Sequence, residues 1–231
     1  MIPLHDDNPT KIIPVFTWAF MAICILVFLW QLSLGRYGQN AVFSLGMIPA
    51  SLFDIHPLPA ELVIIPAWAT LVTSMFMHGG WMHLIGNMLY LFIFGNNIED
   101  AMGHTKFIIF YLICGVAAAL AQAIPNPAST IPMIGASGAI SGVLGAYLML
   151  YPHARVLVAI PLGFIIHTTR IRAYWVLGFW FAMQLVSTVL SGDQQGGVAF
   201  GAHIGGFVAG MALVPLFKNR GVKLFTLERR G

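Results

Sequence analysis

The composition of this 231-residue chain excludes a soluble globular protein, because hydrophobic residues make up 58% of it and charged residues only 8%, against roughly 25% charged residues in a soluble domain. So few charges cannot cover a surface that faces water, and lipid must cover most of it. The length suits one membrane domain of about six helices of about 20 residues each. The two cysteines, Cys24 and Cys114, lie in apolar runs and are expected to be small buried hydrophobic residues, with no disulfide and no metal site.

The predicted elements, in chain order, form an all-α polytopic membrane bundle of six transmembrane helices. A short cytoplasmic N-terminus, 1–11, precedes the membrane domain, 12–217, and a basic cytoplasmic tail, 218–231, follows it. The first apolar run is too long for the hydrophobic region of a cleavable signal. The long first outer loop, 35–80, is rich in proline and is interpreted as short interfacial pieces. The apolar segment 156–169 is interrupted by proline and glycine and is interpreted as an interfacial loop. The predicted spans are 12–34, 81–98, 106–124, 136–151, 173–191 and 199–217.

Charge placement supports this map. With the N-terminus in the cytoplasm, ten of the eleven basic residues fall on the inner side and only Arg36 falls outside, as the positive-inside rule requires. We therefore expect a multi-pass protein of the cell (inner) membrane with both termini in the cytoplasm. The basic residues indicate topology and contact with anionic lipid and give no support for nucleic-acid binding. The inner ten are Lys11, Lys106, Arg155, Arg170, Arg172, Lys218, Arg220, Lys223, Arg229 and Arg230.

Four polar residues converge at one depth in this topology. Spans two, four and six run from outside to inside, so their N-terminal ends share one leaflet. His83 and Asn87 lie near the start of span two, Ser137 near the start of span four and His203 near the start of span six. Helix rise places all four within roughly 10 Å of the same depth. Ionisable groups at membrane depth are costly and indicate a functional site.

Glycines surround the serine and follow the histidine of span six. Small helix faces let two backbones approach closely, and a serine hydroxyl is a weak nucleophile unless a base such as His203 can reach it at about 2.6–3.2 Å. Glycine stripes also serve packing alone, and a lone histidine can be a hydrogen-bonded core residue. The shared depth favours a site. The glycines are Gly135, Gly138, Gly142 and Gly145 in span four, and Gly206 and Gly210 in span six.

Acyl transfer to a serine forms an oxyanion, which hydrogen-bond donors must stabilise. Candidate donors lie at the same depth as Ser137. His83 and Asn87 are four residues apart and share a helix face, and the Ser137 N–H lies at the positive end of a helix. The other interpretation of Asn87 is an interhelical hydrogen bond. His78, just before span two, is expected to shape the loop or to polarise nearby water. Glu99 lies about 20 Å away at the inner end of span two, so a Ser-His dyad is expected rather than a triad with a carboxylate.

These residues resemble the rhomboid family over about residues 14–217. The motifs are Gly-x-Ser-Gly in the fourth span, Ala-His-x-x-Gly-x-x-x-Gly in the sixth and His-x-x-x-Asn in the second, the last preceded by another histidine. Each motif alone is weak, and the three together in the right spans and order are highly specific. The residues that carry them are Gly135, Ser137, Gly138, Ala202, His203, Gly206, Gly210, His83, Asn87 and His78.

The resemblance implies an intramembrane serine endopeptidase that cleaves single-span membrane protein substrates near the outer membrane face. Ser137 would form the acyl-enzyme, and His203 would act as general base and then general acid. His83, Asn87 and the Ser137 amide would hold the oxyanion, with His78, Gly135 and Ser141 as possible supporting residues. The partners would be transmembrane substrates and the lipid bilayer, and neither a cofactor nor a metal is implied.

Two departures from the family pattern stand out. Many relatives carry an aromatic residue four positions after the nucleophile, where it stacks on the catalytic histidine; this chain has Ser141 there. Many relatives also carry a Trp-Arg pair in the first loop, and this chain has Ala69 and Thr70 there, next to Trp68. Because Ser141 has no ring to stack on His203, another group must orient that histidine.

Three other classes remain as alternatives. An inactive rhomboid-like protein that binds transmembrane clients would lack the serine or the histidine, and this chain has both. A haem or quinone protein would use His83 and His203 as ligands, and a visible spectrum would reveal it. A transporter would suit helices broken by glycine and proline, but no clear internal repeat is present. A zinc protease is disfavoured because the His-Glu-x-x-His motif is missing from the sequence.

Overall fold

The computed structural model describes residues 1–163, 165–191 and 199–226. Arg229 and Arg230 of the predicted tail, and the whole loop 192–198 between the fifth and sixth predicted spans, lie outside the described residues. Within them the chain forms ten α-helices and three β-strands. In chain order these are β1 (Ile2–Asp6), α1 (Val15–Ser33), α2 (Gly38–Leu45), α3 (Pro49–Leu52), α4 (Thr70–Thr73), α5 (Trp81–Tyr90), α6 (Asn96–Met102), α7 (His104–Ala123), α8 (Ser137–Leu150), β2 (Arg155–Leu162), β3 (Ile165–Arg172), α9 (Ala173–Ser191) and α10 (Phe200–Phe217).

Among the described residues, three helices, α1, α7 and α10, are long and apolar enough to cross a membrane. Their bounds agree with the first, third and sixth predicted spans to within three residues. Helix α5 continues through a π-helical turn, Leu91–Gly95, directly into α6. Residues 81–102 thus form one nearly continuous helical run where the second span is predicted.

Helix α8 lies at the centre of the bundle. Every residue from Gly138 to Tyr147 is buried, which explains why the sequence there is apolar all round and shows no amphipathic stripe. Its closest neighbours are α10 and α7. A helix of 14 residues is about 21 Å long, shorter than the roughly 30 Å hydrocarbon core of a bilayer.

A three-stranded antiparallel sheet corrects the all-α expectation and the interpretation of 156–169 as an interfacial loop. Strands β2 and β3 form a hairpin whose register runs from Arg155 opposite Arg172 to Leu162 opposite Ile165. Strand β1 pairs with the other edge of β2, with Ile2 opposite Ala159. Val156 and Val158 are fully buried, so β-branched side chains at alternate positions turn one face of β2 toward the core. The fold is therefore mostly helical rather than all-α.

The sheet is tied to the helical core by a buried polar contact. The Tyr147 hydroxyl of α8 donates a 2.7 Å hydrogen bond to Asp6 Oδ2, and Asp6 is only 4% exposed. Burial raises the pKa of Asp6 to about 6, although the hydrogen bond from Tyr147 opposes this rise. The contact holds β1 against the C-terminal end of α8, while Ser137 lies at the N-terminal end.

Candidate active site

The site is built around one hydrogen bond between two helices. Ser137 is the first residue of α8 and His203 lies in the first turn of α10. The Ser137 Oγ lies 2.8 Å from His203 Nε2, within the reach that a base needs to accept a hydroxyl proton. His203 is only 9% exposed. The structure thus brings together the serine and the histidine that the sequence predicts as a pair.

Glycines allow this contact, because they let the two backbones touch. A Cβ added at Gly206 would collide with the Gly138 carbonyl oxygen, and one added at Gly210 would collide with the Gly142 carbonyl oxygen. Position 138 faces 206 and position 142 faces 210, so α8 and α10 run parallel.

Gly138 has a second neighbour that the sequence does not reveal. Its own Cβ would point at Ala118 of α7, at 2.6 Å from the Ala118 Cβ, and would stay 4.0 Å from the Ala202 Cβ of α10. Gly138 therefore contributes its carbonyl to the contact with α10 and its missing side chain to the contact with α7.

His83 reaches the site because residue 135 has no side chain. Gly135 has a φ of +126°, which disfavours other residues, and a Cβ there would lie 2.7 Å from both Cε1 and Nε2 of His83. The Gly79 N–H donates to His83 Nδ1 at 3.4 Å. Because Nδ1 accepts, the ring proton belongs on Nε2, and that nitrogen is the donor turned toward the loop before Ser137.

Asn87 lies one helical turn beyond His83 and carries a donor with nothing to bind. Its Nδ2 is buried and has no hydrogen-bond partner within the described part of the chain. Unpaired buried donors are costly in stability, so their presence indicates a role outside the resting structure. The Ser137 N–H is a third donor, since the first N–H groups of a helix have no partner within it.

A cavity of about 860 Å³ joins these groups. Ser137, His203, His83 and Asn87 all line it, together with the backbone of Gly135. Its remaining wall is mainly apolar and includes side chains of α5 and α9, among them Trp81, Met82, Tyr90 and Trp180. A largely apolar cavity with a few convergent polar groups is the usual form of a binding site.

His78 packs against His83. Its ring centroid lies 5.2 Å from that of His83, edge to face, and both its ring nitrogens are buried without a partner among the described residues. Its backbone is held by Gln31 of α1, which donates to the His78 carbonyl at 3.2 Å and accepts from the His78 N–H at 3.0 Å. The structure therefore gives His78 a place next to His83.

Ser141 does not replace the missing aromatic residue. Its hydroxyl donates to the Ser137 carbonyl at 2.6 Å, within its own helix. The groups around the His203 ring come from elsewhere: the Trp180 ring of α9 lies 5.8 Å away, and the Phe200 ring lies 6.3 Å away, edge to face. Gln184 of α9 contacts His203 Nδ1 at 2.8 Å, and the motifs in the sequence do not include it. A lone amide in the apolar stretch 177–186 is the signal that could have identified it.

The buried carboxylate of Glu99 has a separate role. It accepts from the Phe16 and Thr17 N–H groups at 2.9 and 2.8 Å and from the Thr17 hydroxyl at 2.7 Å, and it contacts His104 Nδ1 at 2.6 Å. Glu99 thus caps the N-terminus of α1, where a negative charge is stabilising.

The fold and the site together define a mostly helical membrane protein in which a serine–histidine pair lines a largely apolar cavity. A family model described as "Rhomboid domain" matches residues 66–220. The chain is 32% identical over 203 residues to Rhomboid protease GluP of Bacillus subtilis, a match that covers 87% of this chain and 35% of GluP. Similarity to Rhomboid-like protein 11, chloroplastic, of Arabidopsis thaliana reaches 31% identity over 158 residues, which is 67% of this chain and 54% of that protein. Rhomboid protease AarA of Providencia stuartii is 28% identical over 221 residues, covering 89% of this chain and 76% of AarA.

The chain belongs to the rhomboid family. It spans about a third of the length of GluP and about half of the length of the Arabidopsis protein.

Proposed function

We propose that this chain is an intramembrane serine endopeptidase that cleaves single-span membrane proteins near the outer membrane face. The observation that carries the proposal is the 2.8 Å hydrogen bond between Ser137 Oγ and His203 Nε2 at the wall of a cavity with two further donor side chains. GluP and AarA are both named rhomboid proteases, which supports the same activity here.

In the first half of the reaction, the Ser137 oxygen attacks the carbonyl carbon of the scissile peptide bond while His203 Nε2 accepts the hydroxyl proton. The carbonyl oxygen becomes an oxyanion, which the His83 Nε2–H, the Asn87 amide and the Ser137 N–H stabilise. The C–N bond then breaks, His203 gives its proton to the leaving amine, and the substrate acyl group stays on Ser137 as an ester.

In the second half, water replaces the amine. His203 Nε2 accepts a proton from the water as the water oxygen attacks the ester carbon, and the same three donors hold the second oxyanion. Collapse of this intermediate breaks the bond to the Ser137 oxygen, which takes the proton back from His203. The new carboxyl end is released and the resting pair is restored.

The six-span topology gains support from the sheet. Because β1 pairs with β2, residues 2–6 and 155–162 lie on the same side of the membrane, and the number of crossings between them is even. Crossings by α1, by the run from α5 to α6 and by α7 make three, so an even number requires the short helix α8 to cross as well, and α9 and α10 complete six. The positive-inside rule then puts both termini in the cytoplasm of the cell (inner) membrane. Reporter fusions to residue 226 test this, and an outward-facing reporter would contradict it.

The activity is tested by coexpression with a panel of tagged single-span membrane proteins. We expect the wild type to cleave members of the panel and Ser137→Ala and His203→Ala to leave them intact, because the members of a catalytic pair act as a unit. A fluorophosphonate probe should label Ser137 in the wild type and label neither variant. Near-wild-type cleavage by either folded variant would exclude this mechanism.

A further inference from the structure

His203 needs a group that fixes its ring. To accept a proton from Ser137, Nε2 must be unprotonated, so Nδ1 must carry the ring proton, and an acceptor at Nδ1 favours that tautomer and fixes the plane of the ring. In a serine hydrolase with a triad, a carboxylate supplies this acceptor. Here the Ser141 hydroxyl is bound to the Ser137 carbonyl, and Glu99 caps α1.

The side chain of Gln184 meets the requirement. Its Oε1 lies 2.8 Å from His203 Nδ1. On its other side, Gln184 Nε2 lies 3.5 Å from the Trp180 carbonyl oxygen. A carbonyl can only accept, so the amide nitrogen belongs on that side and the amide oxygen faces the histidine. This orientation makes Nδ1 the protonated nitrogen of His203 and leaves Nε2 free to accept from Ser137.

The same face of α9 supplies an aromatic neighbour for the ring. Trp180 and Gln184 are four residues apart, so both side chains lie on one face of the helix. The Trp180 ring lies 5.8 Å from the His203 ring, at an interplanar angle of 39°. One helix thus provides both an aromatic contact and an acceptor to His203, while the first turn after the nucleophile provides neither.

We propose that Gln184 is the positioning residue of the His203 base, and that Ser137, His203 and Gln184 form a relay whose third member is neutral. The proposal rests on the proposed function of the Ser137–His203 pair. The hydrogen bond from Nδ1–H to Gln184 Oε1 persists while Nε2 gains the serine proton and passes it to the leaving amine, so the amide oxygen orients the ring without exchanging a proton. A neutral acceptor also avoids a buried charge beside an apolar cavity.

The test compares four variants of α9 in the whole chain, of which Gln184→Ala removes most of the side chain. Gln184→Met keeps the length of the side chain and removes the acceptor, Gln184→Glu keeps an acceptor oxygen, and Leu185→Met places the same methionine at a neighbouring exposed position. For each variant, kcat and KM for a cleaved single-span substrate, the second-order rate of fluorophosphonate labelling and the melting temperature are measured.

For Gln184→Met we expect kcat and the labelling rate to fall together by about tenfold or more, as when a base loses its orienting hydrogen bond, with KM changed by less than about twofold. Gln184→Glu should recover a large part of the labelling rate, and Leu185→Met should match the wild type. Gln184→Ala, which shortens the side chain as well as removing the acceptor, should label as slowly as Gln184→Met.

Two results would overturn the inference. If Gln184→Met and Gln184→Ala lower the melting temperature but label and cleave at the wild-type rate, Gln184 only ties α9 to α10. If Gln184→Glu is as slow as Gln184→Met, the acceptor oxygen is not what matters. In both cases the wild type still cleaves and labels, so the proposed function stands; a wild type that does neither removes the proposed function and this inference together.

Discussion

Replacing Asn87 by alanine separates a catalytic role from a structural one. The Asn87 Nδ2 is buried without a partner among the described residues, so its removal breaks no hydrogen bond within that part of the chain. In the proposed reaction this group meets a charge that exists only in the transition state, and such interactions act on the chemical step rather than on substrate binding. Asn87→Ala should therefore lower kcat and leave KM and the melting temperature nearly unchanged.

The size of the effect follows from the number of donors. Loss of one oxyanion donor lowers kcat by about 100- to 1000-fold, or roughly 3–4 kcal/mol. His83 and the Ser137 N–H remain in the variant, so we expect a fall near 100-fold, at the lower end of that range. Single-turnover cleavage in detergent micelles measures the chemical step directly.

Asn97→Ala is the matched control, because Asn97 is also buried and follows Asn87 in the same helical run. Asn97 is 1% exposed, and its Nδ2 donates a hydrogen bond of 2.8 Å to the Asn8 carbonyl oxygen. The alanine removes this hydrogen bond, which contributes about 0.5–1.5 kcal/mol, so the melting temperature should fall while single-turnover cleavage is normal. If Asn87→Ala behaved like this control, Asn87 would be a tether between helices and would not be a donor to the oxyanion.

Two further predictions concern helix packing and pH. Gly206→Leu should lower activity by about 100-fold or more, because the leucine side chain would collide with the Gly138 carbonyl and a misplacement of about 1 Å can have that effect. The control Gly178→Leu, at a glycine with open space around it, should stay active. Equal activity of the two variants would refute the proposed packing of α8 against α10. The pKa of Asp6 rises from 3.8 to about 6 on folding, so the folded state is stabilised when the Asp6 carboxyl is protonated. This contribution to stability is fully present below about pH 3.8 and is lost as the pH rises through about 6. At 1.36 kcal/mol for each pKa unit, the difference at pH 8 is about 3 kcal/mol. Asp6→Asn keeps an acceptor for Tyr147 and should melt higher than the wild type at pH 8, with the gap narrowing toward pH 4; a gap independent of pH would contradict this reasoning.

The sequence predicts the positions of the long helices and of the serine–histidine pair because both depend on local patterns. Apolar runs of about 20 residues determine where helices form, and glycines at steps of three and four determine which faces of α8 and α10 can touch. His203 and Ser137 follow from these two patterns together with the order of the spans.

Other features depend on contacts that a one-dimensional pattern does not contain. The partner of β2 on one side is β1, about 150 residues earlier, and the alternating burial of Val156 and Val158 is hidden in a continuous apolar run. Gln184 is visible as a polar residue in a membrane helix, but whether it faces lipid or His203 depends on how α9 is rotated against α10. The direction of the missing side chain of Gly138, toward Ala118, depends on the packing of α7 in the same way.

The pairing of β1 with β2 has a consequence for biosynthesis. The ribosome makes β1 about 150 residues before its partner strand β2, which appears only after helices α1 to α8 have been synthesised. Until then β1 is an unpaired strand edge, which can pair with other chains. Closure of the sheet, with Asp6 meeting Tyr147, can occur only after α8 has been synthesised. Removing residues 1–8 should therefore leave early insertion unaffected and impair the last step of assembly.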